Sequence, residues 1–303
     1  MIPIDTQRLF IAGTEWLYYV IHVGPQTSDR FLTDSLAPQA DALIKSNAID
    51  KWFFIRYKDE KGMHLRVRFH LEDPQQIGTV IGSMRAALAP YIQNRLVSDV
   101  SINTYKREIE RYGATTIEDF ETLFFISSEL AIAIISRTDN SSEKKWLLGM
   151  RAIDVFLSGW EYDIPKKKQL LEELKNGFGR EFGIDKFARK HLNRKYRDNR
   201  TEIENMVGAG DPDFERVFEK FRQGNSKPIA SIQKKVALLE EVDTDDLLKD
   251  YLGSYIHMLC NRLFPSKQRL SECILYDLLF EYYYSRQARL GIQKKELQNQ
   301  NQI

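Results

Sequence analysis

Cysteine is scarce in this chain: 303 residues hold only two, Cys260 and Cys273. They make no C-x-x-C pair and no zinc ligand set, which excludes a disulfide framework and a structural zinc module. Two buried thiols in a reducing cytosol are expected instead. A surplus of one charge sign is also missing. Forty-four Lys and Arg stand against 43 Asp and Glu, a net charge of +1, which argues against a dedicated nucleic-acid binder. No apolar run approaches the ~20 residues that a membrane helix needs. The N-terminus, "MIPIDTQRLF", has no basic segment leading into an apolar one, so no secretory signal is read and a cytoplasmic location is expected. There is no internal repeat and no Gly/Ser/Pro linker. What the chain does have is a 43% hydrophobic content, enough for a sizeable core, and a length at which roughly three-quarters of the unfolded surface is buried on folding.

The pattern changes type along the chain. Residues 15–23, "EWLYYVIHV", are aromatic and β-branched and predict a buried strand. "TSDRFLTDSLAPQADALIKSN" has helical spacing at Phe31, Leu32, Leu36 and Leu43. Strands follow at 52–57 and 63–70, joined by a "KDEKG" hairpin loop. Asp73-Pro74 signals a helix start for "QQIGTVIGSMRAALAPYIQ", and 96–105 reads as another strand. From about 117 onward the periodicity is helical to about 290. The fold class expected is α+β: a small mixed or antiparallel sheet in the N-terminal part, packed against a mainly helical C-terminal part. One domain is expected over 1–290, with a polar, disordered tail at 291–303.

One strand is unusual. Side chains on a strand alternate between faces, so His64, Arg66 and Arg68 of "GMHLRVRF" share one face and Leu65, Val67 and Phe69 the other. Arg56 joins the cationic face only if the hairpin register permits, and the sequence does not fix that register. Such a face is either the wet side of an edge strand or a guanidinium cluster that grips carboxylate or phosphate. Two further stretches carry chemistry. "YKREIERYG" puts Glu108 and Arg111 at the end of a strand, before Gly113. "YIHMLCNRLF" puts His257 and Asn261 at i and i+4 on one helix face. Taken singly, none is specific.

In order, "WFFIRY…HLRVRF", "YKREIERYG" and "HMLCNRLF" resemble the C-terminal elimination domain of lantibiotic dehydratases, which also occurs as a stand-alone thiopeptide-type bacteriocin biosynthesis protein. The resemblance runs from Trp16 to about Arg286. It implies removal of glutamate from glutamylated Ser or Thr of a precursor peptide, leaving dehydroalanine or dehydrobutyrine. Arg66, Arg68, Glu108, Arg111 and His257 match the residues that the family uses for catalysis. Arg56, His64 and Asn261 are expected to contact substrate. One departure is Ala114, where relatives often carry a second glycine. The partners implied are a glutamylated precursor peptide with its leader and a separate tRNA-dependent glutamylating enzyme, since 303 residues leave no room for the large glutamylating domain. A homodimer is left open. Neither a metal nor another cofactor is called for.

The chemistry suits these residues. Elimination takes the Cα proton and expels a carboxylate from Cβ, so charge develops on the peptide carbonyl and on the departing group. Arginines match those anions. Histidine suits proton transfer near neutrality, and Glu108 either orients an arginine or acts as the base. Two rival readings remain: a pyridine-forming cyclisation enzyme of thiopeptide biosynthesis on the same scaffold, and a non-catalytic precursor-binding scaffold. The basic run "RKHLNRKYRDNR" reads as a solvated helix face, and "EYYYSR" as helix-packing surface.

Overall fold

The computed structural model describes residues 6–138, 142–183, 185–240 and 242–300. Its order is β1 (Leu9–Phe10), β2 (Trp16–Val23), α1 (Pro25–Phe31), α2 (Ala37–Lys45), β3 (Lys51–Asp59), β4 (Gly62–His70), α3 (Ile77–Gln93), β5 (Val97–Asn103), β6 (Tyr105–Lys106), α4 (Ile109–Tyr112), α5 (Ile117–Ile135), α6 (Ser142–Gly159), α7 (Ile164–Glu181), α8 (Lys186–Asp198), α9 (Arg200–Gly208), α10 (Glu215–Val236), α11 (Thr244–Leu263) and α12 (Gln268–Gln300). The α+β class expected from the sequence holds, and the sheets are antiparallel.

The main sheet has the order β3-β4-β2-β5, and β1 pairs with β6 in a separate two-stranded sheet. The hairpin is tighter than the expected five-residue loop. Pairing continues to Asp59↔Gly62, and Gly62 has φ +117°, a conformation that favours glycine. A widened, π-helical turn at Leu32–Leu36 separates α1 from α2. Pro38 follows it, lacks an N–H and clashes with the carbonyl four residues back, so the helix accommodates it by widening.

The chain forms two compact units: Met1–Asn140 with Gln223–Lys267, and Ser141–Arg222 with Gln268–Ile303. The first holds the sheets, α1–α5, α11 and most of α10. On one face of its sheet Leu17, Ile21, Trp52, Phe54, Leu65, Val67 and Phe69 are fully buried. α5 and α11 pack on β3, an edge strand that would otherwise expose unpaired backbone groups. Side chains satisfy that edge. Phe54 N donates to Ser128 Oγ at 3.3 Å, Arg56 N donates to Asn261 Oδ1 at 2.8 Å, and Asn261 Nδ2 donates to Arg56 O at 2.8 Å.

The second unit is helical, with α12 against α7, α6, α8 and α9. Asp163 and Asp185 cap α7 and α8 by accepting from Lys166 N and Ala188 N, as N-cap carboxylates do. Asp154 gathers Lys167 Nζ at 2.6 Å and the Tyr283 hydroxyl at 2.8 Å. Tyr282 and Tyr283 are buried there, so most of "EYYYSR" packs. On α8 the basic residues face solvent around a buried Tyr196. No helix among the described residues is long and apolar enough to cross a membrane.

Candidate active site

Hairpin register decides what the arginine strand presents. Arg68 pairs with Phe53 and Tyr18, Arg66 with Ile55 and Val20, and His64 with Tyr57 and His22. These residues share one face of the sheet. Arg56 pairs with Leu65 and so lies on the opposite face. There its guanidinium is buried and saturated: Nε donates to Arg262 O, Nη1 to Ser28 Oγ and Nη2 to Asp29 Oδ1 at 2.5 Å. Burial pulls its pKa down, and Asp29 opposes the shift. The structure therefore does not bring Arg56 to the cationic face. Asn261 is likewise taken, since both polar atoms of its amide bind the Arg56 backbone. These two residues correct the substrate-contact expectation: one tethers α1 and the other α11 to β3.

Arg68 is almost fully buried, with its Cζ 4.5 Å from the Tyr18 ring centre, 4.8 Å from that of Tyr105 and 5.2 Å from that of Phe53. Burial lowers its pKa below the usual arginine value. Arg66, one step along the face, is half-buried with its Cζ 3.6 Å from the Tyr57 ring centre. Its Nε donates to His64 Nε2 at 3.2 Å. An arginine can only donate, so His64 Nε2 accepts and the imidazole proton sits on Nδ1. Nδ1 faces Gly62 O at 3.4 Å and Asp59 Oδ2 at 3.7 Å. Burial holds the His64 pKa below its ordinary value. His64 thus orients Arg66.

Glu108 and Arg111 do not end a strand, as the sequence had suggested. Glu108 is the N-cap of α4, a single turn, and Arg111 lies within that turn. β6 and its neighbour anchor the turn. Arg107 holds the buried Glu121 with two bonds, Nε to Oε1 at 2.8 Å and Nη2 to Oε2 at 2.7 Å, and Tyr105 donates to the same Oε1 at 2.9 Å. The turn ends at Gly113, φ +74°, where a Cβ would lie 2.3 Å from the Tyr251 hydroxyl. Glu108 Oε2 is 3.5 Å from Arg111 Nη1, and both side chains are about half exposed.

A small cavity of about 30 Å³ is lined by Arg68, Tyr105, Glu108, Tyr112 and, from α11, Met258 and Arg262, with Phe53, Ile55, Ile117 and Phe124 completing the wall. Of these residues Glu108 is exposed. Strand β4, the start of α4 and helix α11 therefore contribute Arg68, Glu108 and Arg262 to one hollow, whereas Arg66, Arg111 and His257 are not among its lining residues; Arg111 lies beside Glu108. His257 is half-buried on α11 next to Met258. Arg262 was not singled out from the sequence. The available signal was an arginine among the tyrosines and apolar residues of the buried face of α11. Among the described residues, His22, Asp59 and His64 have donor atoms close enough to hold a metal ion. Arg66 fixes the His64 tautomer and Lys61 engages the adjacent Asp99 at 2.9 Å, so this group is an internally bonded network.

The family model described as "Lantibiotic biosynthesis dehydratase C-term" matches residues 16–283. The epidermin biosynthesis protein EpiB of Staphylococcus epidermidis is 26% identical over 289 residues, which is 92% of this chain and 27% of that protein. The chain thus spans about a quarter of the length of that relative. Among solved structures, the tRNA-dependent lantibiotic dehydratase MibB of Microbispora sp. 107891 superposes with a TM-score of 0.72 at 21% identity, covering 92% of this chain and 29% of that one. The pyridine synthase TbtD from thiomuracin biosynthesis superposes with a TM-score of 0.57 at 14% identity, covering 89% and 99%. At these identities the structural likenesses concern the fold.

Proposed function

Because the chain belongs to the lantibiotic biosynthesis dehydratase C-terminal family, we propose that it is a lyase that eliminates glutamate from glutamylated Ser or Thr of a ribosomally made precursor peptide. A separate glutamylating enzyme would supply the ester. The observation that supports this reading is the hollow lined by Arg68 of β4, Glu108 at the start of α4 and Arg262 of α11, with Arg111 3.5 Å from Glu108.

The bonds balance without a cofactor. A base removes the Cα proton, the electron pair forms the Cα=Cβ bond, and the Cβ–O bond breaks with its pair going to the glutamate carboxylate. Negative charge grows on the peptide carbonyl oxygen and on the leaving group. Fixed donors aimed at developing charge are worth roughly 3–4 kcal/mol each. Arg66 and Arg68 supply such donors from a rigid strand, and Arg111 supplies one from α4. Glu108, 3.5 Å from Arg111, holds that guanidinium in place. His257 carries the proton, since an imidazole can accept at one ring nitrogen and donate from the other.

Mass spectrometry of a synthetic peptide bearing one glutamyl-Ser ester tests the assignment. The wild type should give the dehydrated peptide and free glutamate. Arg66→Ala and His257→Ala should each lower release by a factor of at least ~100, in line with loss of a positioned donor or proton carrier, with peptide affinity retained. Normal turnover in both variants would remove these residues from the mechanism. Loss of a leader segment from a peptide already carrying dehydroalanines would indicate cyclisation, and binding without any mass change would indicate a scaffold.

A further inference from the structure

Of the four buried arginines among the described residues, two have a carboxylate partner. Arg56 has Asp29 and Arg107 has Glu121, as the expense of burying a charge requires. Arg68 and Arg262 differ. Neither forms an ion pair with a carboxylate among the described residues, and both line the same cavity. Arg262 is fully buried. Its Nε donates to Ser128 Oγ at 3.2 Å and its Nη1 to Met258 O at 2.9 Å, while Nη2 has no acceptor. Arg68 Nε has none either. Burial, with Arg68 adding to it, pushes the Arg262 pKa down to about 10. Two cations thus line one small space, each with a buried N–H that has no acceptor, and unmet donors in a dry setting favour an anion.

The surroundings define that anion. Two protein bonds and contact with the Phe124 ring at 5.2 Å hold the Arg262 plane in place. Phe53, Ile55, Ile117, Phe124 and Met258 make the apolar part of the wall, beside Tyr105, Tyr112 and Glu108. A carboxylate on a short methylene chain satisfies both: oxygens for the guanidiniums, CH₂ groups for the walls. Glu108 also lines the cavity and its charge acts on Arg68, but its carboxylate is exposed, pairs with Arg111 and forms no ion pair with Arg68 or Arg262.

We propose that Arg262 is a substrate-binding residue that forms, together with Arg68, an internal receptor for one carboxylate of the departing glutamate. The identity of that occupant rests on the elimination reading, whereas the receptor rests on geometry alone. Arginine suits the position, since its planar fork spreads its donors so that Nε and Nη1 reach Ser128 and Met258 O while Nη2 remains, whereas a lysine gathers its donors on one nitrogen.

Glutarate, titrated calorimetrically and by thermal shift, is the probe. It should bind the wild type and raise its Tm. Arg262→Met and Arg68→Met should each lose at least tenfold in glutarate affinity. Without ligand, Arg262→Met should melt at or above the wild-type temperature, because an apolar side chain of similar volume replaces an unpaired buried charge; a purely structural arginine would predict a fall. If the methionine variant does not fold, Arg262→Lys serves, with the same tenfold loss expected. Absence of glutarate binding by the wild type, or unchanged affinity in Arg262→Lys, overturns the proposal. Arg262-dependent glutarate binding by a wild type that releases no glutamate from the ester peptide supports the receptor and removes the elimination reading.

Discussion

Arg56 and Arg68 sit in adjacent strands of one sheet, and the side each faces separates a tether from a site. Alternation along β4 was enough to group His64, Arg66 and Arg68. Arg56 was not legible, because a shift of one residue in the hairpin would have turned it to the other face, and the turn is tighter than "KDEKG" suggests. Arg56→Met should therefore destabilise the fold by roughly 3–5 kcal/mol, the usual effect of breaking a buried ion pair, seen as a lower denaturant midpoint. Wild-type stability in that variant would contradict the tether. His64 makes a pH-dependent claim. Its folded pKa lies below the ordinary 6.5 because of burial, so the unfolded chain takes up the proton first. The stability tied to neutral His64 is complete above 6.5 and is lost as the pH falls through that value. Tm measured on acidification should drop less in His64→Gln than in the wild type.

Short elements escaped the sequence because one turn shows no period. α4 has only four residues, so Glu108 and Arg111 looked like the end of a strand. Their spacing of three is what brings them together on that turn. Arg107 was equally opaque, since its partner Glu121 lies in α5 and nothing local announces the pair. Long helices such as α5 and α11 were readable from their apolar spacing, and so was the shared face of His257 and Asn261. What Asn261 does there was not, because a side chain completing a strand edge leaves no pattern. Asn261→Ala removes both bonds to the Arg56 backbone and leaves a partly buried N–H and C=O unmet. A loss of about 1–3 kcal/mol is expected, and hydrogen exchange at Arg56 should quicken. Unchanged protection would show that α11 is held to β3 by apolar packing alone.

Across the whole chain, the change from strand to helix near residue 115 was visible, with the last strand residue at Lys106. How the later helices divide was not: α5 and α11 join the sheet's unit while α6–α9 and α12 form another. Helical periodicity reports an apolar face without naming what covers it. The site depends on that division, since α11 is far from β4 in sequence but supplies Met258 and Arg262 to the same hollow. The most direct measurement of the central claim is the mass of a peptide carrying a single glutamyl-Ser ester after incubation with the wild-type chain. The account predicts a peptide one water lighter than its unmodified Ser form, with one free glutamate released per ester. A peptide recovered at the unmodified Ser mass, meaning hydrolysis, or one still carrying its glutamate, would contradict it.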